Sequence, residues 1–231
     1  MKKSTKIWLI TAGLLVLAGC TLFTAVMSAQ GWNFRKLSTV SYETNTYEIT
    51  DAFTNISVTS DTADVQFAPS EDGKCKVECY EEENAKHSVT AEKDTLVIKV
   101  IDNRSWHDHI GFRFGSPKIT VYLPKTEYNA LQIHGSTGNV KIPKDFTFAN
   151  TDITLSTGDA VLCASVSESA GIKTSTGDIR IEDTAVGSLD LTVSTGKVTV
   201  SGVSCGGDIT VRVSTGKTDL TDISCKNVIS R

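Results

Sequence analysis

The residues best able to do chemistry in this 231-residue chain are its six cysteines and four histidines. Cys75 and Cys79 stand four apart, with Val77 between them on the same face of an alternating segment. At ~3.3 Å per residue that separates them by ~13 Å, too far for a disulfide without a bulge. Cys205 and Cys225 each follow a repeated Ser by 11 residues. Stacked repeats would bring them to ~5 Å, so they are either a disulfide or a ladder of small buried thiols, and the ladder is expected. Trp106-His107-Asp108-His109 sets two imidazoles at strand spacing around a carboxylate. A metal needs three or four converging ligands, and His87 and His134 are distant in sequence, so a surface loop is expected, with no metal and no other cofactor. The pair Glu182-Asp183 reads as a solvated acidic edge. No H-E-x-x-H helix is present, and the one G-x-S-x-G string, Gly202 to Gly206, falls inside the strand repeat with no helical pattern after it to form an elbow. A nucleophilic Ser needs a base beside it, and the Ser recurs five times without a His as part of the repeat, His134 standing near Ser136 alone, so no catalytic residue is expected.

That recurring Ser belongs to a repeat. Ser136-Thr137-Gly138, Ser156-Thr157-Gly158, Ser175-Thr176-Gly177, Ser194-Thr195-Gly196 and Ser214-Thr215-Gly216 are spaced by 20, 19, 19 and 20 residues. Around each tripeptide apolar and polar residues alternate with the period of a strand. Leu189, Leu191 and Val193 share one face, as do Ile209, Val211 and Val213, while Lys173, Thr192 and Arg212 take the other. Val198 and Val200, or Ile179 and Ile181, restart the inward face after the Gly. The Gly therefore sits at a corner that needs positive φ or close approach. Asn139, Asp159 and Asp178, which follow it, suit a turn that bonds its own backbone. A twenty-residue unit cannot bury its own apolar face, but stacked units can, each strand pairing with its equivalent ~4.8 Å away. The expected fold is all-β, a parallel β-solenoid with 19–20-residue coils.

The net charge of −4 divides unevenly. Residues 1–36 hold Lys2, Lys3, Lys6, Arg35 and Lys36 and no acid, giving +5, and the rest holds 18 bases against 27 acids, giving −9. This balance excludes a nucleic-acid binder. Residues 1–6 read as a basic cytoplasmic tip, and 7–29 as a transmembrane helix. Those 23 uncharged residues span ~35 Å, enough to cross a bacterial membrane. The lysines select the cytoplasm for the N-terminus, so the acidic part is expected outside the cell, in single-pass topology. Leu17-Ala18-Gly19-Cys20 also fits a lipobox, with a signal ending at residue 19 and lipid on Cys20. The apolar run continuing from Thr21 to Met27 favours the uncleaved helix.

Residues 30–46 read as a polar stalk and 47–130 as an irregular β region that starts the solenoid. There Ile56 to Val58, Asp64 to Phe67, Lys74 to Tyr80, Leu96 to Val100 and Ile119 to Leu123 alternate, and Phe53 to Phe67 resembles a degenerate coil. Residues 131–231 are the repeat solenoid proper, expected to be truncated because the chain stops part-way through a coil. With the N-terminal helix, the Asp64-Val65-Gln66-Phe67 strand, the Ile119-Thr120-Val121-Tyr122-Leu123-Pro124 strand and the Ser-Thr-Gly coils together, residues 45–231 resemble the bacterial putative-adhesin family of β-strand-repeat proteins, a domain of unknown function. The resemblance implies a membrane-attached, surface-facing protein and carries over no catalytic residue. The expected function is a non-enzymatic, membrane-anchored adhesin or envelope-interaction module with a surface or envelope partner. An envelope-stress accessory or sensor protein is the alternative, and a carbohydrate-active solenoid enzyme stands behind both.

Overall fold

The computed structural model describes residues 3–34, 40–104 and 115–230. The chain divides into two compact units, residues 1–41 with 106–115, and residues 42–105 with 116–231. The Trp106-His107-Asp108-His109 segment lies outside the described residues.

In the first unit, Lys3–Ala29 forms helix α1 of 27 residues, long and apolar enough to span a membrane, with a mean hydropathy of 2.2. At 1.5 Å per residue it extends ~40 Å. It stops where Gly31 turns to a φ of 63°, and the N–H groups of Gly31 and Trp32 close onto the carbonyls of Ser28 and Met27.

The second unit is a β-solenoid of about five turns, and the protein is mostly β, at 64%. Its regular coils run through β8 (Glu127–Thr137), β9 (Val140–Ile142), β10 (Thr147–Thr157), β11 (Ala160–Leu162), β12 (Ser165–Thr176), β13 (Ile179–Glu182), β14 (Ala185–Cys205), β15 (Asp208–Ser224) and β16 (Asn227–Ser230). Each strand lies parallel to its equivalent one coil away, for example Leu191 beside Val211 and Ile172 beside Leu191. The inward positions read from the alternation, Leu189, Leu191, Val193, Val198, Val200, Ile179 and Ile181, are buried. Each such side chain contributes about 1.5–3 kcal/mol on leaving water. Within the core, Phe67, Phe146, Phe148 and Tyr128 pack in a chain with ring centroids 5.9–6.4 Å apart.

Chain order and spatial order part company before β8. Strands β2 (Asn55–Ser60) and β3 (Asp64–Pro69) form a coil that pairs directly with β8 and β9, so the solenoid begins at Asn55. The chain then leaves the stack and builds β4 (Cys75–Glu82), β5 (Ala85–Glu92), β6 (Thr95–Asp102) and β7 (Lys118–Leu123) before returning to β8. β6 and β7 lie parallel on the far side of β2 and β3. The β4–β5 hairpin covers them antiparallel, β4 on β7 and β5 on β6, and β1 (Tyr42–Ile49) closes antiparallel on β4. This antiparallel cap covers strand edges that would otherwise be open to another chain. Two elements depart from expectation. β1 starts at Tyr42, inside the segment read as stalk, and β5 lies where no strand was expected. Both are polar on their outer positions and carry few apolar residues inward, so hydrophobic alternation alone does not reveal them.

Candidate functional site

The Ser-Thr-Gly corners form one column. Gly138, Gly158, Gly177, Gly196 and Gly216 adopt φ between 133° and 148°, a region L side chains rarely enter. Space excludes a side chain as well. A Cβ on Gly177 would lie 2.1 Å from the carbonyl oxygen of Gly158, and one on Gly196 would lie 2.0 Å from that of Gly177. The column starts above Gly138 at Ala63, whose carbonyl oxygen takes the same place, 2.3 Å from where that Cβ would be.

The residue after each Gly makes a second column, and here the expectation of a self-bonding turn is corrected. Asp64 Oδ1 accepts the N–H of Asn139 at 2.7 Å, Asn139 Oδ1 that of Asp159 at 2.9 Å, Asp159 Oδ1 that of Asp178 at 2.8 Å, and Asp178 Oδ1 that of Lys197 at 2.8 Å. Each side chain thus bonds the backbone of the next coil. Stacking puts that N–H within reach and leaves it without a ladder partner at the corner.

The outward side of the long strands presents a polar row. Lys99, Thr59, His134, Thr154, Lys173, Thr192 and Arg212 are successive register partners across seven strands. Strand spacing sets them ~4.8 Å apart on a surface fixed from beneath by the core. A parallel row holds Ser57, Gln132, Asp152, Gly171, Asp190 and Thr210. The rows are tied by Arg212, whose Nη1 donates to Asp190 at 2.7 Å. The face therefore carries both signs of charge together with hydroxyls.

Cys205 and Cys225 are free thiols, each one residue past the register pair Ser204–Ser224 of neighbouring coils, Cys205 buried and Cys225 half-buried. Cys75 and Cys79 are also free. Burial pushes the thiols of both up to about 12. Cys20 lies on α1, which continues unbroken past it to Ala29.

One constellation is absent from the sequence reading. The inward face of β4 runs Cys75, Val77, Cys79 and then Glu81, which is wholly buried. From β5, His87 points to the same interior, 5% exposed. Glu81 Oε2 accepts His87 N–H and meets His87 Nδ1, each at 2.6 Å, while Glu81 Oε1 accepts Asn45 Nδ2 at 2.7 Å. The Tyr47 hydroxyl donates to the His87 carbonyl at 2.9 Å, and its own proton is held more tightly by burial and by nearby Glu81. Ligand atoms of Cys79, Glu81 and His87 all lie within 4.8 Å of one another. The missing signal was β5. Read as a strand, it places His87 two positions beyond Ala85 on the inward face, within reach of the Glu81 carboxylate.

No curated protein matches the chain. Three crystal structures similar to it are a putative adhesin from Bacteroides fragilis (17% identity, 82% of this chain and 96% of that one, TM-score 0.45), a putative lipid binding protein from Parabacteroides distasonis (17%, 83% and 98%, 0.37) and a putative cell adhesion protein from Clostridium sporogenes (11%, 84% and 100%, 0.30). Residues 53–228, from just before the first coil to the last strand, match the family described as Toastrack DUF4097, and the chain belongs to that family.

Proposed function

We propose that this chain is a non-enzymatic binding module, anchored in a bacterial membrane by α1 and presenting its outward rows to a cell-surface or envelope partner. The observation that carries this reading is the union of a spanning-length apolar helix behind Lys3 and Lys6 with a rigid sheet face bearing Lys99, His134, Lys173 and Arg212 in one register row. Positive charge at the start of the helix favours the cytoplasm for that end and leaves the solenoid outside. A face built from repeated coils matches extended ligands with many weak contacts better than a small substrate with few strong ones. The mixed charge of the rows suits a polar surface, while the −9 of residues 37–231 works against anionic polymers at low salt.

Full-length protein in lipid nanodiscs tests the reading against immobilised glycans, matrix proteins and whole bacterial cells. Saturable binding to one of these, weakened at least about tenfold by K173E/R212E, which inverts two charges of the row, is expected; a tenfold loss corresponds to about 1.4 kcal/mol. Uniform failure to bind, or turnover of a polysaccharide, would overturn it. The mass of the mature N-terminus decides the anchor. An intact Met1 chain supports the helix, and a chain starting at a diacylated Cys20 would replace it with a lipid.

A further inference from the structure

We propose that Cys79, Glu81 and His87 form a binding site for a zinc-type divalent transition-metal ion inside the antiparallel cap. A thiol, a carboxylate and an imidazole are the three ligand types that zinc takes from proteins, and three protein ligands plus one further position is a complete zinc set. A mixed S/N/O set selects a borderline-soft ion over calcium or magnesium, which take oxygen alone.

The three groups are close enough to converge on one ion, which would replace the 2.6 Å contact between Glu81 Oε2 and His87 Nδ1. The three ligand atoms lie within 4.8 Å of one another and all three side chains are buried. Glu81 is held from behind by Asn45 Nδ2 at 2.7 Å, the kind of outer contact that orients a ligand carboxylate. Among the described residues, His87 Nε2 is buried without a hydrogen-bond partner, although such groups are ordinarily paired. Binding at Nδ1 would move the ring proton to that spare nitrogen, and binding at Nε2 would use it directly. The S–metal bond forms as the Cys79 thiol releases its proton to solvent, so at least one proton leaves for each ion bound. His87 also lines a small crevice with Asp61, Glu82 and Arg104.

The occupied site would join β4 and β5 at the point where the cap interior turns from apolar to polar, adding a coordination cross-link to the Glu81–His87 hydrogen bonds. It does not depend on what the outward rows bind.

Full-length protein in detergent, freed of metal by chelation, is titrated with Zn2+ and separately with Co2+. Expected are one tightly bound ion per chain, a thiolate-to-cobalt charge-transfer band, release of protons on binding, and a melting temperature that rises with Zn2+. C79S should abolish the band and weaken binding by at least about tenfold, the low end of what changes to outer-shell partners alone cost. C75S, which removes the other buried β4 thiol and leaves the three ligands, should keep both the band and the affinity. Far-ultraviolet circular dichroism checks that each variant is folded. H87Q gives a second reading through the cobalt ligand-field spectrum, should C79S not fold. A wild-type chain that binds no stoichiometric metal, or a band that survives C79S and disappears with C75S, would overturn the proposal.

Discussion

From Leu131 to Val211 the regular coils bury aliphatic side chains, Phe146, Phe148, Cys205 and three threonines. Two of those hydroxyls find partners within the stack, Thr174 on the Gly158 carbonyl at 3.2 Å and Thr184 on the Ala164 carbonyl at 2.7 Å. From Cys75 to His87 the cap buries two cysteines, two glutamates and a histidine in the same continuous sheet. The coils are specified by repetition. Any aliphatic residue of suitable size fills an inward position, but one atom too many at a corner meets the coil before it. The cap is specified by pairing, where each polar side chain is tolerable only because another one faces it.

The sharpest way to break this contrast is to crowd a corner. Gly177→Val adds a side chain where a Cβ alone would lie 2.1 Å from the Gly158 oxygen, at a φ of 138°. At least about 4 kcal/mol of stability should be lost, measured by urea unfolding of the detergent-solubilised chain. Gly73→Ala, in a cap turn at φ 73° with open space around it, should cost only about 1–2 kcal/mol. Similar losses at the two positions would show that backbone conformation, not stacking, makes the corner glycines necessary.

The cap's dependence on pairing comes next in size. Glu81→Leu strands the buried His87 ring and its backbone N–H, while half-buried Asn45 keeps Glu43 as acceptor, and should cost about 3–5 kcal/mol. Replacing Glu81 and His87 together by leucines removes both members of the pair and should recover a large part of that loss. Leu191→Ala, in the coils, should cost about 2–5 kcal/mol with no single partner change able to restore it. Losses that simply add in the double variant would mean the cap is held by packing alone. The column of Asx bonds sets a smaller effect. Asp159→Ala leaves the Asp178 N–H without its acceptor and should cost about 0.5–1.5 kcal/mol. Asp159→Asn should stay within about 0.5 kcal/mol of the natural chain, because Asn139 already fills the same role one coil earlier.

How far each region could be read from sequence follows the same division. Period-two alternation around Ser136, Ser156, Ser175, Ser194 and Ser214 carries its own register, since each coil pairs with a copy of itself. The repeat therefore announces the corners, the inward face and the outward row of Lys173, Thr192 and Arg212. Alternation in β2 does not say that Val58 lies beside Ile133, 75 residues on, with Ile98 on its other side. A strand pattern marks which face is buried but does not name the neighbour. The buried polar trio was hidden for a further reason. In β5 the residues Ala85, His87 and Val89 are too weakly apolar to signal an inward face until β4 and β6 are known to flank it. The Asx column was misassigned because the local rule for Asp and Asn assumes that the nearest free N–H belongs to the same turn. In a stack the nearest one lies in the next coil.

The smallest expected effect concerns acid. In the cap, hydrogen bonds from Lys76 to Glu78 at 2.8 Å and from Lys86 to Glu43 hold those two carboxyls below the ordinary value of 4.5. In the coils, hydrogen bonds from Lys125 and Lys197 do the same for Asp145 and Asp219, below 3.8. A carboxyl with a depressed folded value contributes stability that is fully present above its unfolded value and lost as pH falls through the folded one. All four pairs therefore favour the folded chain at neutral pH, and their contribution should fade on acidification below about pH 4.5 in the cap and somewhat lower in the coils. The pairs are partly to largely open to solvent, so the loss should be shallow and should shrink in 1 M salt, where charges are screened within ~3 Å. Lys76→Met with Lys86→Met should flatten the acid limb of cap unfolding, and Lys125→Met with Lys197→Met that of the coils, each followed by hydrogen exchange at backbone amides of β4 and β14 between pH 5 and 3. Acid sensitivity that stays unchanged in β4 and β14 after all four lysines are replaced would show that these pairs are not its origin.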